Sequence, residues 1–249
     1  MKVGVYGLGR FGTFWARQLA QHMDVVGYNR SSREIASQGF KVVDKKTLLD
    51  CDVIFLCVAI SSLKEVLLSI QGELRPGTTV IDTCSVKVYP SDLMSTILPE
   101  DISLIATHPM FGPDSGKNGI KGLPLVYHPL RCKESEGEYW ETVFRDMELQ
   151  VIPMTPEQHD REAAYSQGVT HFVGRMLNEL DLQPTELATV GYHNLMNIVE
   201  QTCNDPLQLF FDLQRYNPFA SDMHRQLEKA IDSILELLRQ QDRKPMEDS

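Results

Sequence analysis

Two features of this 249-residue sequence carry chemical content: a histidine ahead of a proline and a glycine-rich loop, and an early glycine pattern. The histidine lies in Thr107-His108-Pro109-Met110-Phe111-Gly112-Pro113-Asp114-Ser115-Gly116. An imidazole titrates close to neutral pH and can abstract a proton from a bound hydroxyl. Ser85, in Asp82-Thr83-Cys84-Ser85-Val86-Lys87, can orient that ring or a substrate hydroxyl. The alternative for His108 is a ring that only packs the loop.

The glycine pattern is Gly7-Leu8-Gly9-Arg10-Phe11-Gly12, a G-x-G-x-x-G between an apolar run and a helical pattern. The first glycine makes a tight turn, the second admits a pyrophosphate to the backbone, and the third packs helix on strand. The phosphates then meet free N–H groups at a helix N-terminus. The pattern therefore predicts a dinucleotide site. Val58, which closes the apolar run Val53–Val58, joins the cofactor set. About 20 residues past the loop, an acidic side chain would select NAD by binding the ribose 2′-hydroxyl. Here the segment reads Asn29-Arg30-Ser31-Ser32-Arg33, with no carboxylate before Glu34. Asn29, Arg30, Ser31 and Arg33 suit a 2′-phosphate, so NADP is expected, with NAD as the alternative. The plainer reading of the two arginines is a solvated loop.

Elements must hold these residues in place. Short apolar runs at Val3–Tyr6, Val25–Tyr28, Val53–Val58, Thr79–Ile81, Leu104–Ala106, Leu125–Tyr127 and Leu149–Ile152 alternate with helical patterns at Phe11–His22, Leu63–Gln71 and Glu136–Asp146. Continuous apolar runs indicate strands covered on both faces. The alternation predicts an α/β fold: an N-terminal Rossmann-type, doubly wound, mostly parallel sheet. Both chemical segments then fall beyond strand C-terminal ends, where ligands gather in such sheets.

From Met154 onwards no strand pattern remains. Thr155-Pro156-Glu157-Gln158 is a helix start with cap, proline and a glutamine three residues on. In the helix that follows, Val169, Val173, Met176 and Leu180 form one stripe, and Asp160, Ala164, Gln167 and His171 lie opposite. Small and neutral polar residues suit a cleft wall better than open solvent. Thr185–Cys203 reads as a further helix, and Asp205-Pro206 and Asn217-Pro218 as cap and first-turn pairs. A last helix carries Met223, Leu227, Ile231, Ile234 and Leu238 on one face. The expected division is a dinucleotide-binding domain over 1–153 and an all-helical domain over 154–249. Its long stripes exceed what it can bury alone, which predicts a homodimer through the helical part.

Composition agrees with an ordinary globular protein: 42% hydrophobic and 23% charged residues. The net charge of −10 argues against nucleic acid and anionic membranes as partners. No run approaches a membrane span, and Met1-Lys2-Val3-Gly4-Val5-Tyr6-Gly7 does not read as a secretory signal. Five widely spaced cysteines, without a Cys-x-x-Cys pair, suggest neither a disulfide framework nor a metal site, and a cytoplasmic location is expected. His22, His128, His193 and His224 are read as structural.

Taken together, these segments resemble the prephenate/arogenate dehydrogenase family over residues 3 to about 235. The similarity is carried by His108-Pro109-Met110-Phe111-Gly112-Pro113, by Asp82–Lys87, and by Glu157-Gln158-His159-Asp160 with Ser166-Gln167-Gly168-Val169-Thr170-His171. Phe111–Gly119 is most similar to the plant-type arogenate branch. The resemblance implies oxidative decarboxylation of a cyclohexadienyl ring, with no metal. His108 would accept the ring hydroxyl proton, and Ser85 would hydrogen-bond that hydroxyl or the imidazole. Ser115, Gln167, His171 and Asp205 would bind the substrate, arogenate or prephenate. An acidic Asp205 favours arogenate, and Glu200 stands where some prephenate-preferring relatives carry an arginine. Two other readings stay open: a β-hydroxyacid-type dehydrogenase, which lacks its lysine and asparagine here, and a non-catalytic dinucleotide-sensing module.

Overall fold

In the computed structural model, which describes residues 1–31 and 39–242, the apolar runs form one eight-stranded sheet. Its strands are β1 (Lys2–Tyr6), β2 (Asp24–Tyr28), β3 (Lys41–Val42), β4 (Val53–Leu56), β5 (Thr79–Asp82), β6 (Ser103–Pro109), β7 (Pro124–Arg131) and β8 (Gln150–Pro153). Their order is β3-β2-β1-β4-β5-β6-β7-β8. The pairs from β3 to β6 are parallel, β7 joins β6 antiparallel, and β8 joins β7 parallel. Chain order reverses between β1 and β4, which opens a crevice at their C-terminal ends.

Five helices cover the sheet: α1 (Arg10–Leu19), α2 (Lys45–Leu49), α3 (Ile60–Ile70), α4 (Val88–Ile97) and α5 (Glu134–Asp146). Alternation along β4 shows why the strands read as continuous apolar runs. Val53 and Phe55 join Trp15 of α1 and Trp140 and Phe144 of α5 in one core. Ile54 and Leu56 join Leu48, Leu63 and Met94 of α2, α3 and α4 in the other. Burying each such side chain contributes roughly 1.5–3 kcal/mol before entropy is counted.

β3, α2 and α4 were not anticipated. β3 has only two residues, both exposed, so it lacks an apolar signature. β6 is longer than expected, because its antiparallel pairing with β7 continues to Pro109 opposite Leu125. His108 is therefore a buried strand residue opposite Val126, and the loop begins after it.

Beyond β8 the chain is helical: α6 (Pro156–Ala163), α7 (Val169–Glu179), α8 (Val190–Cys203), α9 (Leu207–Tyr216) and α10 (Ala220–Asp242). α6 begins as its sequence predicts, with Thr155 Oγ1 accepting from Gln158 N–H at 3.3 Å and Gln158 Oε1 accepting from Thr155 N–H at 3.1 Å. A π-helical turn over Ala164–Gly168 separates α6 from α7. One continuous helical period does not describe this stretch. The apolar stripe is only partly covered: Val169 and Val173 are half-buried and Met176 and Leu180 exposed, whereas Asp160 and His171 are buried. α8 starts at Val190 with Thr189 as its cap, later than the expected helix start at Thr185.

Polar side chains tie the helical part to the sheet. Asp212 of α9 accepts from Ser61 N–H and Oγ–H at the start of α3, at 3.1 and 3.0 Å. Asp160 of α6 accepts from the N–H groups of Lys87 (2.6 Å) and Val88 (2.9 Å), where α4 begins. Beneath that junction lies a fully buried ion pair. Lys87 Nζ donates to Asp82 and to the Thr107 carbonyl, and Asp82 also accepts from Cys84 N–H at 2.9 Å and Thr107 N–H at 3.3 Å. The pair locks the end of β5 to the strand that carries His108. Lys87→Met leaves Asp82 buried without its counter-charge, so urea unfolding should show a loss of about 3–5 kcal/mol. A loss under 1 kcal/mol would contradict this role.

Candidate active site

The crevice between β1 and β4 widens into a cleft of about 330 Å³, roofed by α7 and by the turn from α8 to α9. Its size is in the range of small-molecule sites. Gly9, Val58, Ser85, His108, Gln167 and Asp205 all line it. Four strand ends, the π-helical turn and the segment between α8 and α9 thus bring together residues up to 196 positions apart, from Gly9 to Asp205.

The glycine loop has the shape a pyrophosphate needs. Gly7 has φ +101°, and a Cβ on Gly12 would sit 1.9 Å from the Gly7 carbonyl oxygen, so neither tolerates a side chain. A Cβ on Gly9 would meet nothing within 4 Å, and no side chain caps the first turn of α1. Open space above Gly9 and free helical N–H groups fit a dinucleotide phosphate. Leu8 is core, and its N–H donates to Asn29 Oδ1 at 3.1 Å. Asn29 Nδ2 donates to Ser31 Oγ at 2.8 Å, so Asn29 ties the loop to the end of β2. Arg30 is solvent-exposed and 3.4 Å from Glu65 of α3. Arg33 lies outside the described residues.

His108 is a deeply buried polar group of the cleft. Its Nδ1 is 2.8 Å from Nε2 of His159, whose Nδ1 is 2.8 Å from Asp160 Oδ1. Burial, reinforced by the neighbouring His159 and the Lys87 ammonium, holds His108 well below the ordinary imidazole pKa of 6.5. The ring is therefore an uncharged base at neutral pH. Ser85 lines the cleft but makes no hydrogen bond to His108 among the described residues; His159 orients the ring instead. His159 was visible in the sequence only as one residue of a segment. Its value depends on the fold of α6 against β6, and helical spacing alone does not reveal it.

Gln167 and His171 reach the cleft from either side of the end of the π turn. Gln167 Oε1 and His171 Nδ1 are buried and have no hydrogen-bond partner among the described residues. Orphaned polar atoms of this kind are costly unless a ligand completes them. Ser115 Oγ accepts from Gly112 N–H at 3.0 Å and stabilises the loop after β6 at the cleft edge. Asp205 is not a helix cap. Pro206 occupies that place without a side-chain bond, and the Asp205 carboxylate lies 3.4 Å from Arg10 Nη1. Arg10 also pairs with Asp114. Burial raises the pKa of Asp205 above the ordinary carboxylate value, Arg10 opposes the rise, and Asp114 adds to it. Glu200 is exposed and does not line the cleft. Cys57 and Cys84 also line it, but burial pushes the Cys57 thiol up to about 12 and Cys84 well above 9.0, so neither is a nucleophile at neutral pH. Among the described residues, no cluster of three or more His, Cys, Asp or Glu is arranged to hold a metal ion.

Comparison with known proteins agrees with this geometry. Residues 15–123 match the prephenate dehydrogenase nucleotide-binding domain, and residues 176–249 match the TYRAAT1-like C-terminal domain. The chain is 35% identical over 247 residues to arogenate dehydrogenase 2, chloroplastic, of Arabidopsis thaliana, covering 94% of this chain and 69% of that protein. The chain belongs to the prephenate/arogenate dehydrogenase family. It is also 35% identical to arogenate dehydrogenase 1, chloroplastic, of the same plant, where it spans 38% of the longer relative. The fold is shared with Synechocystis arogenate dehydrogenase at a TM-score of 0.70 and 20% identity, over 98% of this chain and 94% of that one. The A. aeolicus prephenate dehydrogenase, solved with hydroxyphenyl propionate and NAD+, superposes at a TM-score of 0.76 and 19% identity, over 98% and 92% of the two chains. The family membership makes this chain a dehydrogenase with a Rossmann-type sheet.

The buried His171 makes stability depend on pH. Its pKa is lowered from 6.5 to about 4, by burial first and by Arg175 second. Between those values the unfolded chain binds the proton and the folded chain does not, so acidification favours unfolding. At 1.36 kcal/mol per pH unit, His171 should account for roughly 3 kcal/mol lost between pH 6.5 and 4. His171→Gln should flatten the denaturation free energy over that window by a comparable amount; an unchanged slope would contradict the burial of an uncharged ring.

Proposed function

We propose that this cleft oxidatively decarboxylates L-arogenate to L-tyrosine with NADP as hydride acceptor. The observation that carries this reading is His108, buried and uncharged, facing a cleft that the glycine loop shares and that Asp205 borders. Residues 1–153 hold the dinucleotide and 154–249 complete the substrate site. Gly7, Leu8, Gly9, Arg10, Phe11 and Gly12 form the phosphate cradle, with Val58 beside it. Arg30 and Ser31 at the end of β2 serve the 2′-phosphate, once Arg30 leaves its exposed pairing with Glu65. When bound, the nicotinamide supplies the hydride-accepting carbon.

On the protein side, His108 Nε2 takes the proton of the ring hydroxyl, because Nδ1 is already engaged by His159. Ser85 donates or accepts at the same hydroxyl. Aromatisation drives loss of the ring carboxylate as CO2. Ser115, Gln167, His171 and Asp205 hold the substrate's side chain. The orphaned Gln167 Oε1 needs a donor, and the half-buried Asp205 carboxylate gains from an ammonium, which arogenate has and prephenate lacks. Arg10 supports the second reading, a prephenate dehydrogenase giving 4-hydroxyphenylpyruvate, since its guanidinium lines the cleft and can take a carboxylate.

The outer face of α10 favours a homodimer: Ile231, Ile234, Leu235, Leu237 and Leu238 are all exposed. Five free cysteines favour a reducing compartment such as the cytoplasm, and among the described residues no helix is long and apolar enough to cross a membrane.

Specificity constants for arogenate and prephenate, each with NADP and NAD, test the assignment. Arogenate with NADP should lead by at least about tenfold, the scale of one charged hydrogen bond, and turnover of neither substrate would refute it. Arg30→Ala should raise KM for NADP about tenfold or more and leave NAD within about twofold; equal effects would exclude the phosphate pocket. Ile234→Glu should convert a dimer into monomers in analytical ultracentrifugation.

A further inference from the structure

The ring behind His108 occupies its Nδ1, and the hydrogen bonds on the far side of that ring give it a further role. Asp160 accepts two backbone N–H groups, from Lys87 and Val88, and its Oδ1 also lies 2.8 Å from His159 Nδ1. A carboxylate oxygen in this position can only accept, so His159 Nδ1 carries the hydrogen. Where His159 carries that hydrogen alone, its Nε2 is bare and accepts from His108 Nδ1 at 2.8 Å. His108 is left with its hydrogen on Nδ1 and its lone pair on Nε2, the nitrogen a substrate hydroxyl would meet. Both rings are buried, so water cannot readily scramble this order.

We propose that His159, held by Asp160, fixes the reactive tautomer of His108 and stores the proton that His108 removes. The proposal rests on the dehydrogenase reading above. The substrate O–H bond breaks and an N–H bond forms at His108 Nε2. The Nδ1–H of His108 passes to His159 Nε2. The O–H electron pair becomes the ring C=O, and the hydride leaving the same carbon is the cofactor's to accept. Departure of CO2 returns an electron pair to the ring, which generates a phenolate oxygen. That oxygen takes its proton back from His108 Nε2 as the His159 proton returns to Nδ1. No proton is gained or lost over the cycle, so a buried store needs no channel to solvent.

The surrounding charges favour the stored position. Lys87, beside His108 and paired with Asp82, disfavours positive charge on that ring. His171, facing the cleft from α7, is uncharged at neutral pH. A proton on His159 instead faces the Asp160 carboxylate directly. His159 is thus a positioning residue that also acts through His108.

Long-range proton–nitrogen NMR of the histidine-labelled full chain tests the tautomers without turnover. His108 should show a protonated Nδ1 and a bare Nε2, and His159 likewise; His108→Asn and His159→Gln assign the signals. His159→Phe should lower kcat for arogenate about 100-fold or more, within the range a positioned base contributes, with KM within about threefold. His159→Gln retains an acceptor but no proton site. It should preserve the His108 tautomer and leave kcat at least about tenfold below wild type. A protonated Nε2 on His108, or wild-type kcat in either variant, overturns the proposal. The wild-type spectrum decides the tautomer even where a variant fails to fold. A wild-type chain that turns over neither substrate, yet shows the expected tautomers, would refute the reaction and not the ring order.

Discussion

The side chain of Asp160 carries the connection on which the site depends. Its two oxygens accept the N–H groups of Lys87 and Val88 and meet the ring of His159. One carboxylate therefore anchors the first helix of the helical part, covers the open start of α4, and orients the ring that orients His108. The arrangement is stable because the carboxylate replaces water with several donors at once, which is what makes a buried charge tolerable. Asn217 secures the same residue from the other side by donating to its carbonyl oxygen at 2.8 Å.

Two electrostatic conditions follow. The cleft needs a base that is uncharged at neutral pH, and burial provides it at both His108 and His171. It also needs charge near its rim, and Arg10, Asp114 and Asp205 supply it from three separate segments. The buried floor tunes proton affinity, and the rim carries the charge. The buried Lys87 ammonium bears on both, since it fixes β5 against β6 and adds positive potential beneath the base.

Much of the architecture was legible in advance. Strands covered on both faces leave continuous apolar runs, and β4 shows this plainly because alternate residues serve two cores. The glycine loop and the capping box at Thr155 were legible because each is a local rule: backbone conformation in one case, a three-residue hydrogen-bond pattern in the other. The two exposed residues of β3 escaped notice because pairing alone, without burial, leaves no pattern. The face of α7 was harder to read. His171 is buried and Met176 exposed, yet Leu177 also turns inward, so burial does not follow polarity along this helix, and the π turn breaks the period that would assign its faces.

By itself the sequence determined the fold class, the phosphate loop, and the identity of His108 as the residue to examine. These rest on local chemistry: periodicity, glycine conformation, and the pKa of an imidazole. Only the tertiary structure decided that His108 lies within a buried strand, that His159 and Asp160 stand behind it, and that Asp205 reaches Arg10 instead of capping a helix. The contacts that set them include His108 with His159 and Arg10 with Asp205, 51 and 195 positions apart, and the energies that select these belong to packing across elements, which no local pattern encodes.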